Sequence, residues 1–369
     1  MSVKKLARKT ITQIKPYKPG KPIEEVKREY KLKKVYKMAS NENALGPSPK
    51  AMEAIRKGIA SINLYPDGNC FYLKKALGAK YKLNTDNLII GNGSDELIVL
   101  ALRAFINKGD EVIIANPTFL VYQLAATLAD AKVVFVKQKD FRYDLEAIRE
   151  KITSKTKMIF IANPDNPTGS YVTAAEIAKF IKGLPKDLIV FFDEAYYEFA
   201  AAIKDYPDTL KYIKKGNVIV SRTFSKVYGL GGLRVGWAAA SSEVIGYMNQ
   251  VREPFNVNSL AQTAAVAALS DKSHITKSIK LVETGKNFFY EEFKKMDLFY
   301  VPSVANFVLV NVGPGAKEVF NKLLKKGIIV REMSSWGLPN FIRVTVGHSK
   351  ENKLFIAELR KLLNKGVNR

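Results

Sequence analysis

The sequence is poor in cysteine, in histidine and in long apolar runs. Its 369 residues include one cysteine, Cys70, and two histidines, His274 and His348. A single cysteine excludes an internal disulfide, and two histidines do not form a usual zinc site without carboxylate help. No run of about 18 apolar residues occurs, so no membrane-spanning helix and no membrane partner are expected. The composition therefore argues against a disulfide-stabilised protein and against a membrane-spanning protein. It also leads us to expect that the protein has no metal site.

Acidic residues are also scarce, with 35 of them against 59 basic residues, which gives a net charge of +24. Such a charge suggests nucleic-acid binding, but the lysines occur as dispersed pairs without a basic block or a recognition motif. We therefore expect a solvated cationic surface that attracts anionic small molecules, and no nucleic-acid partner. The basic first ten residues are followed by no apolar segment, so no secretory signal is expected and the predicted location is cytoplasmic.

What the sequence does contain is enough apolar material for two cores, since 47% of the residues are hydrophobic. A chain of this length is expected to form more than one domain. Strand and helix signals alternate between Leu88 and about Ala240, which predicts an α/β fold with a mainly parallel sheet flanked by helices on both faces. Later signals predict a smaller α+β domain. We expect a large domain over 46–260 and a small domain formed by 1–45 with 261–369.

One lysine, Lys226, lies among small hydroxyl residues and glycines in the segment 223–237. A lysine amine forms a Schiff base with an aldehyde, and Thr223, Ser225 and Arg234 are residue types that bind phosphate. Pyridoxal 5'-phosphate is an aldehyde that carries a phosphate, so the segment predicts a site for this cofactor. The competing interpretation is a strand, a turn and a strand with a solvated lysine.

A buried-strand pattern over 188–193 ends in an acid, Asp193. Open α/β sheets bind ligands at the carboxyl ends of their strands, and an aspartate there keeps a pyridine nitrogen protonated. A second apolar strand leads into two Asn/Asp-Pro steps and Asn166, which is predicted to donate to the cofactor's phenolic oxygen together with Tyr196. The competing interpretations are an aspartate that caps the next turn and a plain Asn-Pro turn.

A third strand, 88–91, precedes glycines and the capping residues Ser94 and Asp95. The free amides of a helix start there form an anion site. The pattern is not a dinucleotide fingerprint, because no third glycine follows, and no Gly-Lys-Ser/Thr is present. An ordinary capped helix is the alternative.

In their order along the chain, these segments resemble the fold-type I pyridoxal-phosphate aminotransferases, and within them the histidinol-phosphate aminotransferase family. The resemblance covers nearly the whole chain. It includes Ala39-Ser-Asn-Glu-Asn43, Tyr65-Pro-Asp-Gly68, Gly93-Ser94-Asp95, Asn116-Pro-Thr-Phe119, Asn166-Pro-Thr-Gly169, Asp193-Glu-Ala-Tyr196, Ser225-Lys226 with Arg234, and Phe341-Ile-Arg343.

The resemblance implies a catalytic group formed by Lys226, Asp193 and Tyr196. It implies a homodimer with shared active sites, because Tyr65 would reach the cofactor phosphate of a neighbouring subunit. The implied cofactor contacts are Lys226, Ser94, Asp95, Phe119, Asn166, Asp193, Tyr196, Thr223, Ser225, Arg234 and Tyr65. The implied substrate contacts are Tyr17, Asn43, Tyr65, Asn166, Arg331 and Arg343.

Arginine binds carboxylate or phosphate with a planar fork, so two arginines near one substrate tail favour a phosphate. By residue type alone, Arg331 and Arg343 would more often be solvated edge charges, and Phe119 a core residue. The resemblance implies transamination of histidinol phosphate with 2-oxoglutarate, giving imidazole acetol phosphate and glutamate, in histidine biosynthesis. A broad aromatic amino-acid aminotransferase and a threonine-phosphate decarboxylase fit the same residues. A non-catalytic cofactor-binding regulator is a more distant alternative.

Overall fold

The computed structural model describes residues 3–14, 16 and 20–364. Short 3-10 turns lie at Val3–Lys5, Ile11–Gln13, Ile59–Ser61, Thr85–Asn87, Leu210–Lys215, Gly231–Leu233 and Ser334–Trp336. The helices are α1 (Ile23–Tyr30), α2 (Pro49–Gly58), α3 (Phe71–Tyr81), α4 (Ser94–Phe105), α5 (Leu120–Leu128), α6 (Leu145–Glu150), α7 (Ala174–Lys182), α8 (Tyr197–Ala200), α9 (Ser242–Gln250), α10 (Ser259–Leu269), α11 (Lys272–Lys295), α12 (Ala316–Lys325) and α13 (Ser349–Asn364). The strands are β1 (Tyr36–Lys37), β2 (Leu88–Gly91), β3 (Glu111–Asn116), β4 (Lys132–Lys137), β5 (Thr156–Ala162), β6 (Ile189–Asp193), β7 (Val218–Thr223), β8 (Gly236–Ala239), β9 (Tyr300–Val301), β10 (Phe307–Asn311), β11 (Ile328–Ile329), β12 (Arg331–Glu332) and β13 (Phe341–Thr345).

The larger core surrounds a seven-stranded sheet in the order β2-β8-β7-β6-β5-β3-β4. Neighbouring strands are parallel except at β8, which runs antiparallel to both β2 and β7. The described connection between β7 and β8 contains a 3-10 turn at Gly231–Leu233 but no crossover α-helix, and β8 returns antiparallel beside β7. Every residue of β6 and β7 is buried, as expected for strands covered on both faces. The predicted α/β fold with a mainly parallel sheet is confirmed.

The smaller core combines chain segments from both ends of the sequence. Its four-stranded antiparallel sheet has the order β12-β13-β10-β9, and β1 pairs in parallel with β11. Met38 packs in this core beside Phe289 of α11 and Phe355 of α13. Helix α11 begins at Lys272, because the side chain of Asp271 accepts a hydrogen bond from the amide of His274 at 3.2 Å. The N-terminal residues thus join the small sheet, as the sequence suggests.

The larger core extends past residue 260, where the sequence analysis places the domain boundary. Ala261, Ala264 and Ala265 of α10 are fully buried in it, and α10 packs on α2. Small alanine side chains permit this close helix contact. Residues 261–269 therefore pack with the large core rather than with the small one. Within the described residues, no helix combines the length and apolar character needed to cross a bilayer.

Candidate active site

A cavity of about 240 Å³ opens where the parallel strands of the large sheet end. Strands β2, β5, β6 and β7 run in one direction, so their carboxyl ends meet at one edge of the sheet. Open α/β sheets bind ligands at this edge. The cavity is lined by Ser40, Glu42, Ser94, Asp95, Phe119, Tyr122, Ala162, Pro164, Asn166, Asp193, Ala195, Tyr196, Thr223, Ser225, Lys226, Gly231 and Arg234. Most of the predicted cofactor residues therefore line a single cavity.

One end of this cavity is built to hold an anion. Helix α4 begins there at Ser94, and the first amides of a helix have no partner within the helix. Arg234 lies 3.5 Å from the hydroxyl of Ser225, which accepts a hydrogen bond from Thr223 at 3.0 Å. Gly93 has φ +81°, and a Cβ there would lie 2.5 Å from the Arg234 guanidinium. Only glycine permits this approach of backbone and arginine, so the donors converge on one point.

The opposite end of the cavity holds the buried carboxyl group of Asp193, the last residue of β6. Tyr122 donates to its Oδ2 at 2.6 Å, and the amide of Ala195 donates to Oδ1 at 3.2 Å. Within the described residues, no cationic side chain forms an ion pair with it. Burial raises the pKa of Asp193 to about 6, against the opposing hydrogen bond from Tyr122. The site thus contains a desolvated carboxylate that a ligand N–H⁺ would compensate.

Lys226 lies where this cavity meets a second one. Its Nζ is 5.5 Å from the ring centre of Tyr196, and both residues line both cavities. Asn166 and Phe119 line both cavities as well. The lysine therefore faces the anion site and Asp193 on one side and a neighbouring space of about 170 Å³ on the other.

The second cavity carries two arginines from the small sheet. Arg331 of β12 lies opposite Arg343 of β13 in the strand register, and both line the cavity. The Arg331 guanidinium stacks on Trp336 at 5.0 Å from the ring centre. Arg343 donates to the carbonyl oxygen of Ala39 at 3.0 Å and to Oδ1 of Asn166. Two cations close together in a partly buried space form a site for a doubly charged group.

Two predicted substrate residues, Asn43 and Tyr65, line neither of these two cavities. Asn43 donates to the Val227 carbonyl at 2.7 Å and to the Ser278 hydroxyl at 2.9 Å, which holds it behind the site. Tyr65 is 83% exposed and stacks on Phe255, away from its own chain's cavities. Tyr17 lies outside the described residues. Their roles stay predictions.

The residues at the site that sequence reasoning missed include Tyr122, Asn41 and Trp336. Tyr122 follows Phe119 by one helical turn of α5, a spacing that signals one shared face. Asn41 belongs to the segment 39–43, but the sequence analysis selected Asn43 from it. Trp336 has no distinguishing local pattern. Among the described residues, no group of three or more histidine, cysteine, aspartate or glutamate side chains is arranged to hold a metal ion.

The sequence of the chain matches the model of a known protein family. The model of the family described as "Aminotransferase class I and II" matches residues 33–358. The chain therefore belongs to the aminotransferase class I and II family.

Individual proteins and a solved structure are also similar to this chain over nearly its whole length. A histidinol-phosphate aminotransferase of Moorella thermoacetica is 49% identical over 96% of this chain and 92% of its own length. Histidinol-phosphate aminotransferase 2 of Carboxydothermus hydrogenoformans is 44% identical over 97% of this chain and 99% of its own. The solved structure of the histidinol-phosphate aminotransferase of Sinorhizobium meliloti, in complex with pyridoxal-5'-phosphate, aligns with a TM-score of 0.90 at 27% identity, covering 97% of each chain.

Proposed function

We propose that this chain transfers the amino group of histidinol phosphate to 2-oxoglutarate with pyridoxal 5'-phosphate as cofactor, a step of histidine biosynthesis. One observation carries the proposal: Lys226 lies between a cavity with a phosphate cradle and a cavity with two arginines. The similarity to histidinol-phosphate aminotransferases over 96% of the chain supports the same reaction.

The residues of the first cavity fit the cofactor by their chemistry. The cradle of Ser94, Thr223, Ser225 and Arg234 offers donors to a phosphate. The buried Asp193 carboxyl group, which lacks a cationic partner among the described residues, suits a protonated pyridine nitrogen. Phe119 borders the space between these two ends. When bound, the cofactor would supply an aldehyde for the amino group and a cationic ring that delocalises negative charge.

The chain's own groups then hold and move protons. Asp193 would accept the N–H of the bound cofactor's ring and hold that proton, because a cation stabilises the desolvated carboxylate. Nζ of Lys226 removes the proton from the substrate carbon that carries the amine, as a general base. The second cavity binds the substrate tail, and its two arginines favour phosphate over a singly charged carboxylate.

Purified, cofactor-loaded protein mixed with histidinol phosphate and no keto acid tests the reaction. We expect the cofactor spectrum to change to that of its aminated form, with one equivalent of ketone product by mass spectrometry. Replacing Lys226 with alanine is expected to slow this transfer by at least about a thousandfold. Transfer at the wild-type rate in that variant would contradict the proposal.

The substrate is tested with a matched pair, histidinol phosphate and phosphate-free histidinol. We expect the wild type to prefer the phosphorylated compound, and R331Q to reduce that preference by roughly tenfold or more. A faster reaction with tyrosine or phenylalanine would instead favour the aromatic aminotransferase. Release of carbon dioxide from threonine phosphate would favour the decarboxylase, and cofactor binding with no transfer would favour the regulator.

The proposal includes a homodimer with shared sites and a cytoplasmic location. The segment between α2 and α3 exposes apolar side chains at Ile62, Leu64 and Tyr65, and the first turn of α3 adds Phe71 and Tyr72. Contiguous exposed apolar residues favour a protein interface. A phosphorylated substrate is retained in the cytoplasm, because its charge opposes passage through a bilayer.

Mixed dimers test the sharing of sites. Lys226→Ala and Tyr65→Ala homodimers should each have low activity. If Tyr65 serves the partner's site, a mixed dimer contains one site with both defects and one intact site, so mixing should restore activity. No restoration, together with monomers in sedimentation, would contradict the shared site while leaving the transamination proposal intact.

A further inference from the structure

Asn41 is a buried residue that joins three separate parts of the chain. It is 1% exposed and has φ +55°, a conformation that asparagine adopts more readily than most other non-glycine residues. Its Nδ2 donates to the hydroxyl of Tyr196 at 2.8 Å. Its backbone oxygen accepts from Asn306 at 2.9 Å. The small sheet therefore holds Asn41 against a residue of the large domain that lines both cavities.

The Asn41 amide group contacts Thr345 as well as Tyr196. The Thr345 hydroxyl accepts from the backbone N–H of Asn41 at 2.9 Å and lies 2.9 Å from Asn41 Oδ1. Since the hydroxyl accepts from the N–H, its own hydrogen is available for Oδ1. In this arrangement Oδ1 accepts from Thr345, and Nδ2, which can only donate, faces Tyr196. The phenol oxygen of Tyr196 is then an acceptor in this contact.

We infer that Asn41 is a positioning residue that sets the direction of the Tyr196 proton. Because the phenol oxygen accepts from Asn41, its hydrogen is left to point toward the cavity rather than into the small domain. This inference rests on the proposed function, in which Tyr196 donates to the phenolic oxygen of the cofactor. A donor that always points inward stabilises negative charge on that oxygen without reorganisation.

Two substitutions at Asn41 distinguish the effect of its side-chain donor from the effect of its backbone conformation. Both introduced residues tolerate a positive φ. N41D keeps the shape but offers only acceptors, so Tyr196 would donate to the introduced carboxylate instead of to the cofactor. N41G keeps the backbone conformation and leaves Tyr196 free to donate inward. The main readout is the midpoint pH at which the absorption of the bound cofactor changes. Melting of the cofactor-free protein reports folding separately.

We expect N41D to raise the midpoint pH of the absorption change by on the order of one pH unit. The reason is that Tyr196 would no longer donate a hydrogen bond to the charged phenolic oxygen of the cofactor. N41G should stay close to the wild type in midpoint even where it lowers the melting temperature. In a Tyr196→Phe background, N41D should lose most of its effect. Equal midpoints for N41D and N41G, or an N41D shift that Tyr196→Phe leaves unchanged, would overturn the inference.

Thr345 supplies a second test that leaves Asn41 in place. T345V removes the hydroxyl that orients the amide, so the amide can turn and present Oδ1 to Tyr196. We expect T345V to shift the midpoint in the same direction as N41D, and T345S, which keeps the hydroxyl, to match the wild type. Identical midpoints for T345V and T345S would contradict the inference. A failure of the proposed function is distinguishable, because the wild type would then give no amino-group transfer from histidinol phosphate.

Discussion

Asp193 and Glu194 are neighbours in sequence and both are buried, yet their surroundings differ. Asp193 is the last residue of β6 and Glu194 follows it; successive side chains of an extended chain alternate, so the two carboxyl groups point to opposite sides. Glu194 is paired with Arg222 at 2.8 Å, with both side chains fully inaccessible, and it accepts from Thr209. Asp193 receives only neutral donors, Tyr122 and the Ala195 amide.

The different surroundings indicate that Glu194 is a structural charge, whereas Asp193 is available to a ligand. A buried ion pair is compensated within the fold, whereas a buried carboxylate with neutral donors alone is under-compensated. Burial raises the pKa of Asp193 to about 6. The fold thus contains an under-compensated carboxylate, Asp193, at the edge of the sheet where ligands bind, while the carboxylate of Glu194 is stabilised by Arg222. Replacing each acid by its amide should therefore have opposite effects on stability.

The largest effect is expected from Glu194→Gln. The change leaves the Arg222 guanidinium buried without its hydrogen-bonded counterion, against the ring of Tyr197 and near those of Tyr81 and Trp237. Removing one partner of a buried pair costs about 3–5 kcal/mol. Urea unfolding of the cofactor-free protein measures the loss as a lower midpoint. A change below about 1 kcal/mol would contradict the view that Glu194 is the structural member of the pair.

Asp193→Asn is expected to change stability in the opposite direction. Burial raises the pKa of Asp193 in the folded protein to about 6, from an ordinary value of 3.8. The folded state therefore holds the proton more tightly, and wild-type stability falls as pH rises from about 4 to 6. At pH 8 the variant should gain about 2–3 kcal/mol over the wild type, and near pH 4 the gain should vanish. Melting of cofactor-free protein at both pH values measures this difference.

The same variant should lose amino-transfer activity and gain less stability from added cofactor, because the cationic ring no longer meets a carboxylate. A variant that is both more stable at pH 8 and fully active would show that Asp193 has no role toward the ligand. Glu194→Gln is the matched control, since it is the same acid-to-amide change one residue away.

The sequence predicted this part of the site because strand ends have local signatures. An apolar run that ends in Asp193, and a lysine between hydroxyls and glycines, are visible without a structure. The neutral donor Tyr122 was missed, because it reaches Asp193 from 71 residues away. Asn41 was missed for the same reason, since Thr345 lies 304 residues further along the chain. Periodicity reports which face is buried, but not which distant side chain meets it.

The packing of α10, which begins just before the predicted domain boundary at residue 260, depends on a related effect. Helix α10 is rich in alanine, and its sequence does not reveal which core it joins. Alanine faces fit closely against any helix with small side chains, and here α10 packs on α2 of the large core. The choice between cores depends on tertiary contacts, which a local pattern does not encode.

The smallest effect is expected at an exposed ion pair, which sharpens the contrast with Glu194 and Arg222. Arg103 lies 3.0 Å from Glu253, with side chains 50% and 68% exposed. Exposed pairs contribute about 0.2–1 kcal/mol, and salt screens them. A double-mutant cycle with Arg103→Gln and Glu253→Gln should therefore give a coupling energy below about 0.5 kcal/mol.

Each single variant of this pair also changes the net charge, and this change should affect the stability of the protein in opposite directions for the two variants. The chain carries a net charge of +24, so losing a cation relieves repulsion and losing an anion increases it. Glu253→Gln should thus lower the urea midpoint more than Arg103→Gln at low salt. In about 0.5 M sodium chloride, where the screening length is only a few ångströms, the two midpoints should converge. A difference that persists at high salt would indicate a local packing cause and not the net charge.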